Sequence, residues 1–145
     1  MSNPFMERAI QLSIDHVTSE RGGPFGAVIG KESRIVAEGV SRVTGTNDPT
    51  AHAEITAIRE ACAALRVFEL VDCESSSSCE PCPMCLGAHF LGPSGARIFP
   101  KSGVRCFQNR IRRFFYREIA QSLRQRTIPM IPMMREQALA AFHTW

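Results

Sequence analysis

Two short segments constrain the fold of this sequence more than any other feature: His-Ala-Glu at 52–54 and Pro-Cys-Pro-Met-Cys at 81–85. Cys82 and Cys85 are three residues apart, about one helical turn, and the proline after Cys82 favours a helix start there. Backbone N–H groups at a helix start lower the pKa of nearby thiols and favour metal binding. If His52 lies at the start of a second helix, the fold can bring one imidazole nitrogen and two sulfurs to a single point.

One nitrogen and two sulfur ligands suit zinc, and a zinc ion with three protein ligands keeps a fourth position for water. Zinc can lower the pKa of that water to about 7. Glu54 follows His52 too closely to be a natural fourth ligand, but it can reach the water and move its protons. We therefore predict His52, Cys82 and Cys85 as the ligands of one zinc ion and Glu54 as the catalytic residue.

Two other arrangements of these cysteines are considered. A closed structural zinc site would need a fourth ligand, for which Cys79 and His89 are nearest in sequence, and a disulfide could join Cys82 to Cys85. Disulfides are not expected, because no export signal appears in the sequence and its length allows a core without them. The remaining cysteines, Cys62, Cys73 and Cys106, are interpreted as small core residues, and His16 and His143 as surface or core histidines.

Composition is that of one soluble domain spanning residues 1–145. Hydrophobic residues make up 44% of the 145 residues and charged residues 21%, which excludes a disordered tail, a collagen-like chain and a long coiled coil. No apolar run approaches the roughly 18 residues of a membrane span. The N-terminus lacks the features of a secretory signal, so we expect a cytoplasmic protein without membrane contacts.

Charge is distributed unevenly along the chain. Residues 1–95 carry a net charge of −5 and residues 96–145 a net charge of +8, which together give +3. The basic C-terminal third could attract nucleic acid, and aromatic residues lie among its arginines. The alternative is an amphipathic helix with its arginines in solvent or against an acidic partner subunit.

Helical and strand patterns alternate, which predicts an α/β fold with helices layered on one mixed sheet. Helices are expected at 4–20, 50–65 (capped by Thr50), 83–90, 109–125 and 135–145. Strands are expected at 25–29 and 35–40, which form a hairpin, and at 70–78 and 96–99; a loop is expected at 44–49. Glu74 and the serines after it make 70–78 a poor strand. The apolar segment 128–134 contains two prolines and is either an edge strand or an extended arm.

The sequence resembles the cytidine-deaminase-like superfamily of zinc deaminases, and within it the bacterial guanine deaminases. The H-x-E and P-C-x-x-C segments are the signature of that superfamily. The resemblance rests on five stretches: GGPFGAVI at 22–29, TNDPTAHAE at 46–54, SCEPCPMCLGA at 78–88, FFYREI at 114–119 and RTIP at 126–129. It implies a three-layer α/β/α sandwich around a five-stranded mixed sheet, with one zinc ion per subunit. It also implies a homodimer, in which the C-terminal segment, about 126–145, is exchanged between subunits in some members.

The activity that the resemblance implies is hydrolysis of a free aminated base, foremost guanine to xanthine and ammonia, with Glu54 moving the protons. Its substrate-binding positions correspond to Phe25, Ser41 and Ala53. Phe25 is a candidate wall of the base pocket, with simple core packing as the alternative. Two competing functions are deamination of adenosine in tRNA or of a base in single-stranded nucleic acid, and a weakly active or non-catalytic relative.

The sequence departs from the guanine deaminases at the substrate side. Family members usually have Asn where this chain has Ser41, and a serine hydroxyl cannot supply the paired donor and acceptor of an amide. The segment 107–113 lacks the acidic residue that those enzymes use for guanine, and the chain ends at Trp145, short of a tail residue that reaches the active site in some relatives. A different substrate, weak or lost activity, and a frame error between about 74 and 113 each account for these departures.

Overall fold

A computed structural model describes residues 3–92, 97–98, 109–128, 130, 131, 133 and 139. They fall into two compact units, Met1–Phe107 and Gln108–Trp145. The elements of the first unit are, in order, α1 (Pro4–Thr18), β1 (Gly26–Lys31), β2 (Arg34–Val40), α2 (Val43–Thr46), α3 (Ala53–Leu65), β3 (Glu74–Ser77), α4 (Pro83–Leu91) and β4 (Arg97–Ile98).

The described strands form one mixed sheet of four strands in the order β2-β1-β3-β4. β1 is antiparallel to both of its neighbours, whereas β3 and β4 are parallel. The predicted hairpin is confirmed, and it turns at Glu32 and Ser33, whose φ angles are 49° and 62°. Two consecutive positive φ angles give the tight turn whose twist matches that of the flanking strands.

Helices cover both faces of this sheet. Val28 of β1 packs on one face against Phe5 and Ala9 of α1. The neighbouring side chains Ala27 and Ile29 point to the opposite face, where they pack with small side chains of α3: Ala53, Ala57 and Ala61. The helices layered on one mixed sheet, predicted from the alternation of elements, are therefore confirmed for this unit, and they lie on both faces as the family resemblance implies.

Close contact between β2 and α3 depends on a glycine. A Cβ atom added at Gly39 would lie 2.2 Å from the Ala53 carbonyl oxygen and 2.5 Å from the Ala57 nitrogen. Any side chain there would push the start of α3 away from the sheet. Gly39 thus fixes how closely the helix start with His52 approaches the strands.

The start of α3 differs from the prediction. The helix begins at Ala53 with His52 as the N-cap residue, and Thr50 does not cap it. The Asp48 carboxylate accepts hydrogen bonds from the Thr50 backbone N–H at 2.8 Å and from its hydroxyl at 2.7 Å. An Asp side chain that captures the amide two residues later forms a local turn, which draws Thr50 away from the helix. The expected loop at 44–49 overlaps the short helix α2, which spans Val43–Thr46.

The ends of α1 and β3 also differ from the predicted ranges. α1 ends at Thr18 rather than at residue 20, because Glu20 takes a left-handed φ of 57°. The N–H groups of Glu20 and Arg21 then donate to the carbonyls of Val17 and His16 at 3.1 and 3.2 Å, which closes the helix end. β3 is shorter than the predicted strand 70–78 but lies inside the sheet. Its serines at 75, 76 and 77 are all buried.

The second unit contains α5 (Asn109–Ala120), followed by a 3₁₀ turn at Leu123–Gln125, so the helix expected to reach residue 125 ends five residues earlier. The Glu118 carboxylate accepts hydrogen bonds from the Thr127 N–H at 2.6 Å and the Thr127 hydroxyl at 2.9 Å. None of the described residues of 128–134 lies in a strand, so the edge-strand interpretation is not supported there. The helix expected at 135–145 falls almost entirely outside the described residues. Among those residues, no helix has the length and apolar character needed to cross a bilayer.

Candidate metal and catalytic site

Two helix starts carry the predicted ligands. His52 is the N-cap of α3 and Cys82 is the N-cap of α4, each with extended backbone dihedrals. The carbonyl of His52 accepts from Thr56 N–H at 2.9 Å and the carbonyl of Cys82 accepts from Leu86 N–H at 2.8 Å, so both helices begin at these residues. A proline follows Cys82 at the first helical position, as expected from its fixed φ and missing N–H.

The three predicted ligands meet at one point. One ligand atom from each of His52, Cys82 and Cys85 lies within 4.8 Å of the other two. The His52 Nδ1 atom is 3.7 Å from the Cys82 sulfur and 3.5 Å from the Cys85 sulfur. A tetrahedral zinc ion, with bonds of about 2.3 Å to sulfur and 2.0 Å to nitrogen, separates such ligand atoms by about 3.5 Å. The donor types and their spacing therefore fit zinc.

The Glu54 carboxyl group lies beside the ligands on the first turn of α3. Its side chain is buried, with 7% of the residue exposed. The Cys85 thiol is 3.5 Å from Glu54 Oε2, and the Ser77 hydroxyl donates to Glu54 Oε1 at 3.1 Å. Ser77 comes from β3, opposite Ala27 in the sheet, and so projects toward the face that α3 covers. The carboxyl group is held from two sides.

These contacts and the burial of the site shift the pKa values of its four titratable side chains. Burial raises the pKa of Glu54, although the hydrogen bonds from Ser77 and Cys85 oppose this. The Cys85 thiol and the His52 imidazole lower the pKa of Cys82 to about 4, against the effect of burial. Hydrogen bonding to Cys82 raises the pKa of His52. The pKa of Cys85 is raised because its proton is shared with Cys82 and because it is buried. At neutral pH the site therefore presents one thiolate, a soft ligand, beside a carboxyl group whose pKa is raised by burial.

Neither alternative arrangement of the cysteines is found among the described residues. The metal-binding group there contains His52, Cys82 and Cys85 alone, and neither Cys79 nor His89 is part of it. Cys82 and Cys85 are not joined by a disulfide. Cys73 is buried and Cys62 packs against the same core cluster, as predicted. His16 is buried and lies outside the metal cluster, whereas Cys106 and His143 fall outside the described residues.

Each predicted substrate residue lies at the start or end of a strand or helix. Phe25 directly precedes β1 and packs against the core cluster below α3. Ser41 directly follows β2, and its N–H donates to the Phe25 carbonyl at 3.3 Å. Ala53 is the first residue of α3 and is buried. The structure links Phe25 to Ser41 through the backbone, and their roles toward a base stay predictions.

Ser77 and His16 were not predicted to act near the site. Four consecutive serines indicated a poor strand, and no local signal marks the third residue as the partner of a carboxylate 23 positions earlier. His16 holds the Ser41 carbonyl through its Nε2 atom at 2.8 Å. Both contacts join elements that are distant in sequence, so they depend on strand pairing and helix packing.

Comparison with known proteins points to one family. The sequence model of one protein family, the cytidine and deoxycytidylate deaminase zinc-binding region, matches residues 2–92. The guanine deaminase of Bacillus subtilis (strain 168) is 43% identical over 142 residues, which is 97% of this chain and 91% of that protein. A tRNA-specific adenosine deaminase of Aquifex aeolicus is 47% identical over 76 residues, but these are only 52% of this chain and 50% of that enzyme.

Among solved structures, the X-ray structure of guanine deaminase from Bacillus subtilis superimposes with a TM-score of 0.91 at 42% identity. The match covers 100% of this chain and 94% of that one. The similarity therefore extends beyond the zinc-binding region and includes the C-terminal third.

Proposed function

The chain belongs to the family defined by the cytidine and deoxycytidylate deaminase zinc-binding region. Within that family, we propose that it hydrolyses guanine to xanthine and ammonia. The observation that carries the proposal is the set of three zinc ligands with a buried carboxyl group beside them. The full-length similarity to the Bacillus subtilis guanine deaminase supports guanine as the substrate. Similarity to the tRNA deaminase spans only half of the chain.

His52, Cys82 and Cys85 hold the metal in this proposal. Zinc bound by them would lower the pKa of a water molecule and supply a nucleophile at neutral pH. Because the Cys82 thiol already has a pKa of about 4, one negative ligand is in place before binding. Cys85 has to lose its proton when the metal binds, so loading should release protons.

Glu54 moves protons during the reaction. Its raised pKa brings it closer to the pH at which the enzyme works, where a group can both accept and give a proton efficiently. The carboxylate takes a proton from water as the water oxygen bonds to the amino-bearing ring carbon. It gives this proton to the ring nitrogen, then takes the second proton from the new hydroxyl group and gives it to the amino group, which leaves as ammonia as the C–N bond breaks and the C=O bond forms. Ser77 keeps one carboxylate oxygen oriented while this happens.

The base is held by Phe25, Ser41 and Ala53 in this proposal. Phe25 forms a pocket wall, the Ser41 hydroxyl makes a polar contact, and Ala53 lies between the ligand His52 and Glu54. Ser41 supplies fewer hydrogen bonds than the asparagine that is usual in the family. We therefore expect weaker selection for guanine over related aminated bases than an asparagine would give.

We also propose the architecture of the complete molecule. Residues 1–145 form one functional domain, whose sheet is completed by a fifth strand, and two copies assemble into a homodimer that exchanges residues 126–145. Support for an uncovered surface in the second unit comes from its exposed apolar side chains Phe114, Phe115, Tyr116 and Ile119, which are 38–59% exposed. We expect the protein to act in the cytoplasm, where reducing conditions keep Cys82 and Cys85 as thiols.

The test is ammonia release by zinc-loaded protein from guanine, cytosine, adenine, aminotriazines and their nucleosides. Guanine should be the best substrate, and Glu54→Ala should abolish turnover while the bound zinc, measured by elemental analysis, stays at one ion per chain. Faster ammonia release from another base would support the deamination reaction but would identify that base, and not guanine, as the substrate. Zinc-loaded protein that releases ammonia from none of these compounds would contradict the proposal.

Deamination in nucleic acid is the second candidate, favoured by exposed arginines of the second unit at 113, 117 and 124. Binding of labelled tRNA in low salt would support it, because phosphate contacts strengthen as salt falls. Undetectable binding under those conditions would remove this candidate.

A further inference from the structure

His16 makes a buried contact that the proposed reaction does not use directly. It lies on α1 with only 6% of the residue exposed. Its Nε2 atom is 2.8 Å from the carbonyl oxygen of Ser41, 25 residues further along the chain. A carbonyl oxygen can only accept a hydrogen bond, so Nε2 carries the proton in this contact.

The backbone around the contact is shaped to admit the imidazole. A Cβ atom at Gly22 would lie 2.5 Å from His16 Nε2 and 3.2 Å from the Ser41 carbonyl oxygen. A side chain at this position would displace the ring from its acceptor. Gly22 therefore leaves the space through which His16 reaches Ser41.

Ser41 is held on its other sides as well. Its N–H donates to the Phe25 carbonyl at 3.3 Å, and the N–H of the next residue, Arg42, donates to the Ala51 carbonyl at 2.9 Å. Ala51 immediately precedes the ligand His52. The hydrogen bond from His16 attaches this backbone segment to α1. Its acceptor, the Ser41 carbonyl, lies between the two backbone hydrogen bonds just described.

We propose that His16 is a positioning residue for base recognition, which fixes the Ser41 backbone so that the hydroxyl meets the base at the correct place. The inference rests on the proposed function, in which Ser41 contacts guanine. A serine side chain is short and offers one hydroxyl, so its reach depends on the backbone position more than that of a longer amide would. His16 acts through Ser41 and touches no reacting atom.

Two variants and a control test this role in the zinc-loaded full-length protein. His16→Leu removes the donor, whereas His16→Gln retains an N–H that can reach the carbonyl. Ser13→Ala is the control, because Ser13 is buried on the same helix and its hydroxyl donates to the Ile10 carbonyl of that helix at 2.7 Å. For His16→Leu we expect the KM for guanine to rise about three- to ten-fold, as the loss of one hydrogen bond would give, with kcat and zinc content unchanged. His16→Gln should recover most of the loss, and Ser13→Ala should leave both constants unchanged.

A double variant asks whether the effect passes through Ser41. Ser41→Ala should raise the KM, and adding His16→Leu to it should give little further increase, because residues acting through one contact are not additive. An unchanged KM in His16→Leu, whatever happens to its melting temperature, would overturn the assignment, as would a loss of kcat and zinc without a change in KM. Wild-type protein that releases no ammonia from guanine would overturn the proposed function and this role with it, so the two failures are distinguished by the wild-type measurement.

Discussion

Ser77 is the single residue whose contact we expect to matter most for turnover beyond the ligands and Glu54. Its hydroxyl donates to Glu54 Oε1 at 3.1 Å. Ser77→Ala should lower kcat about two- to ten-fold, because the carboxylate loses one orienting hydrogen bond. Steady-state kinetics on guanine with zinc-loaded protein measure this. Ser76→Ala is the matched control: its hydroxyl has no hydrogen-bond partner among the described residues, so its kcat should equal that of the wild type.

Arg8 of α1 and Glu38 of β2 form a partly exposed ion pair. The guanidinium donates to both carboxylate oxygens at 2.6 and 2.8 Å, and this contact holds the pKa of Glu38 below its ordinary value of 4.5. Asp15 also lies near Arg8 and interacts with its charge. A carboxylate with a lowered pKa in the folded state stabilises the protein above its unfolded pKa, and this stabilisation is lost as the pH falls through the folded value.

Glu38→Gln should therefore lower the free energy of unfolding by about 0.2–1 kcal/mol at pH 7, the range for a partly exposed pair. The difference from the wild type should shrink below pH 4.5 and vanish once Glu38 is protonated. Urea unfolding at several pH values gives the comparison, with Glu60→Gln on the exposed side of α3 as control. A difference that grows toward low pH would contradict the assignment.

At the scale of elements, β3 carries an energetic cost. The hydroxyls of Ser75 and Ser76 are buried without hydrogen-bond partners among the described residues, although the strand lies inside the sheet. Removing such a hydroxyl relieves its desolvation, which costs about 1–3 kcal/mol for a buried polar group. Ser75→Ala and Ser76→Ala should each raise the melting temperature.

Ser78→Ala is the contrasting variant for this strand. The Ser78 hydroxyl accepts a hydrogen bond from the Gly26 N–H at 3.0 Å, so its removal leaves a strand amide without that partner. We expect a lower melting temperature. If all three alanine variants shifted the melting temperature in the same direction, hydrogen bonding would not be the cause.

β3 and α3 also show which features the sequence could predict. The metal cluster was predictable because two short motifs at helix starts bring their own geometry: proline after Cys82 starts a helix, and both thiols then lie on one turn. The strand predicted at 70–78 was expected to be poor because it contains Glu74 and four serines. It forms because β1 and β4 supply hydrogen bonds on both sides, which is a property of the sheet as a whole.

Local competition explains the remaining error at α3. Thr50 has the chemistry of a helix cap, but Asp48 captures its amide and hydroxyl first. The contacts of Ser77 with Glu54 and of His16 with Ser41 could not be predicted either, because each depends on how elements pack. In this chain, the contact between elements that two sequence motifs mark, that of His52 with Cys82 and Cys85, was predictable, and the contacts between elements that no motif marks were not.

For the whole molecule we predict a homodimer. Light scattering of the purified full-length chain should give about twice the subunit mass of 16.1 kDa. The Glu118 carboxylate holds the N–H and hydroxyl of Thr127, at the base of the segment 126–145 that we expect to be exchanged. Glu118→Ala should therefore weaken the dimer and shift the mass toward the monomer at low protein concentration, whereas the exposed Gln125→Ala should not. A monomer at all concentrations would contradict the prediction.

The convergence of His52 and Cys82 also changes the connectivity of the molecule. These two ligands are 30 residues apart in sequence, and α3 and β3 lie between them. A bound metal would join them into a covalent-like ring of that length. By the loop-closure argument used for disulfides, a link of this span lowers the conformational entropy of the unfolded chain, which stabilises the folded state by about 3–4 kcal/mol. Zinc supply would then govern not only how fast the protein works but how long each newly made copy survives against proteolysis.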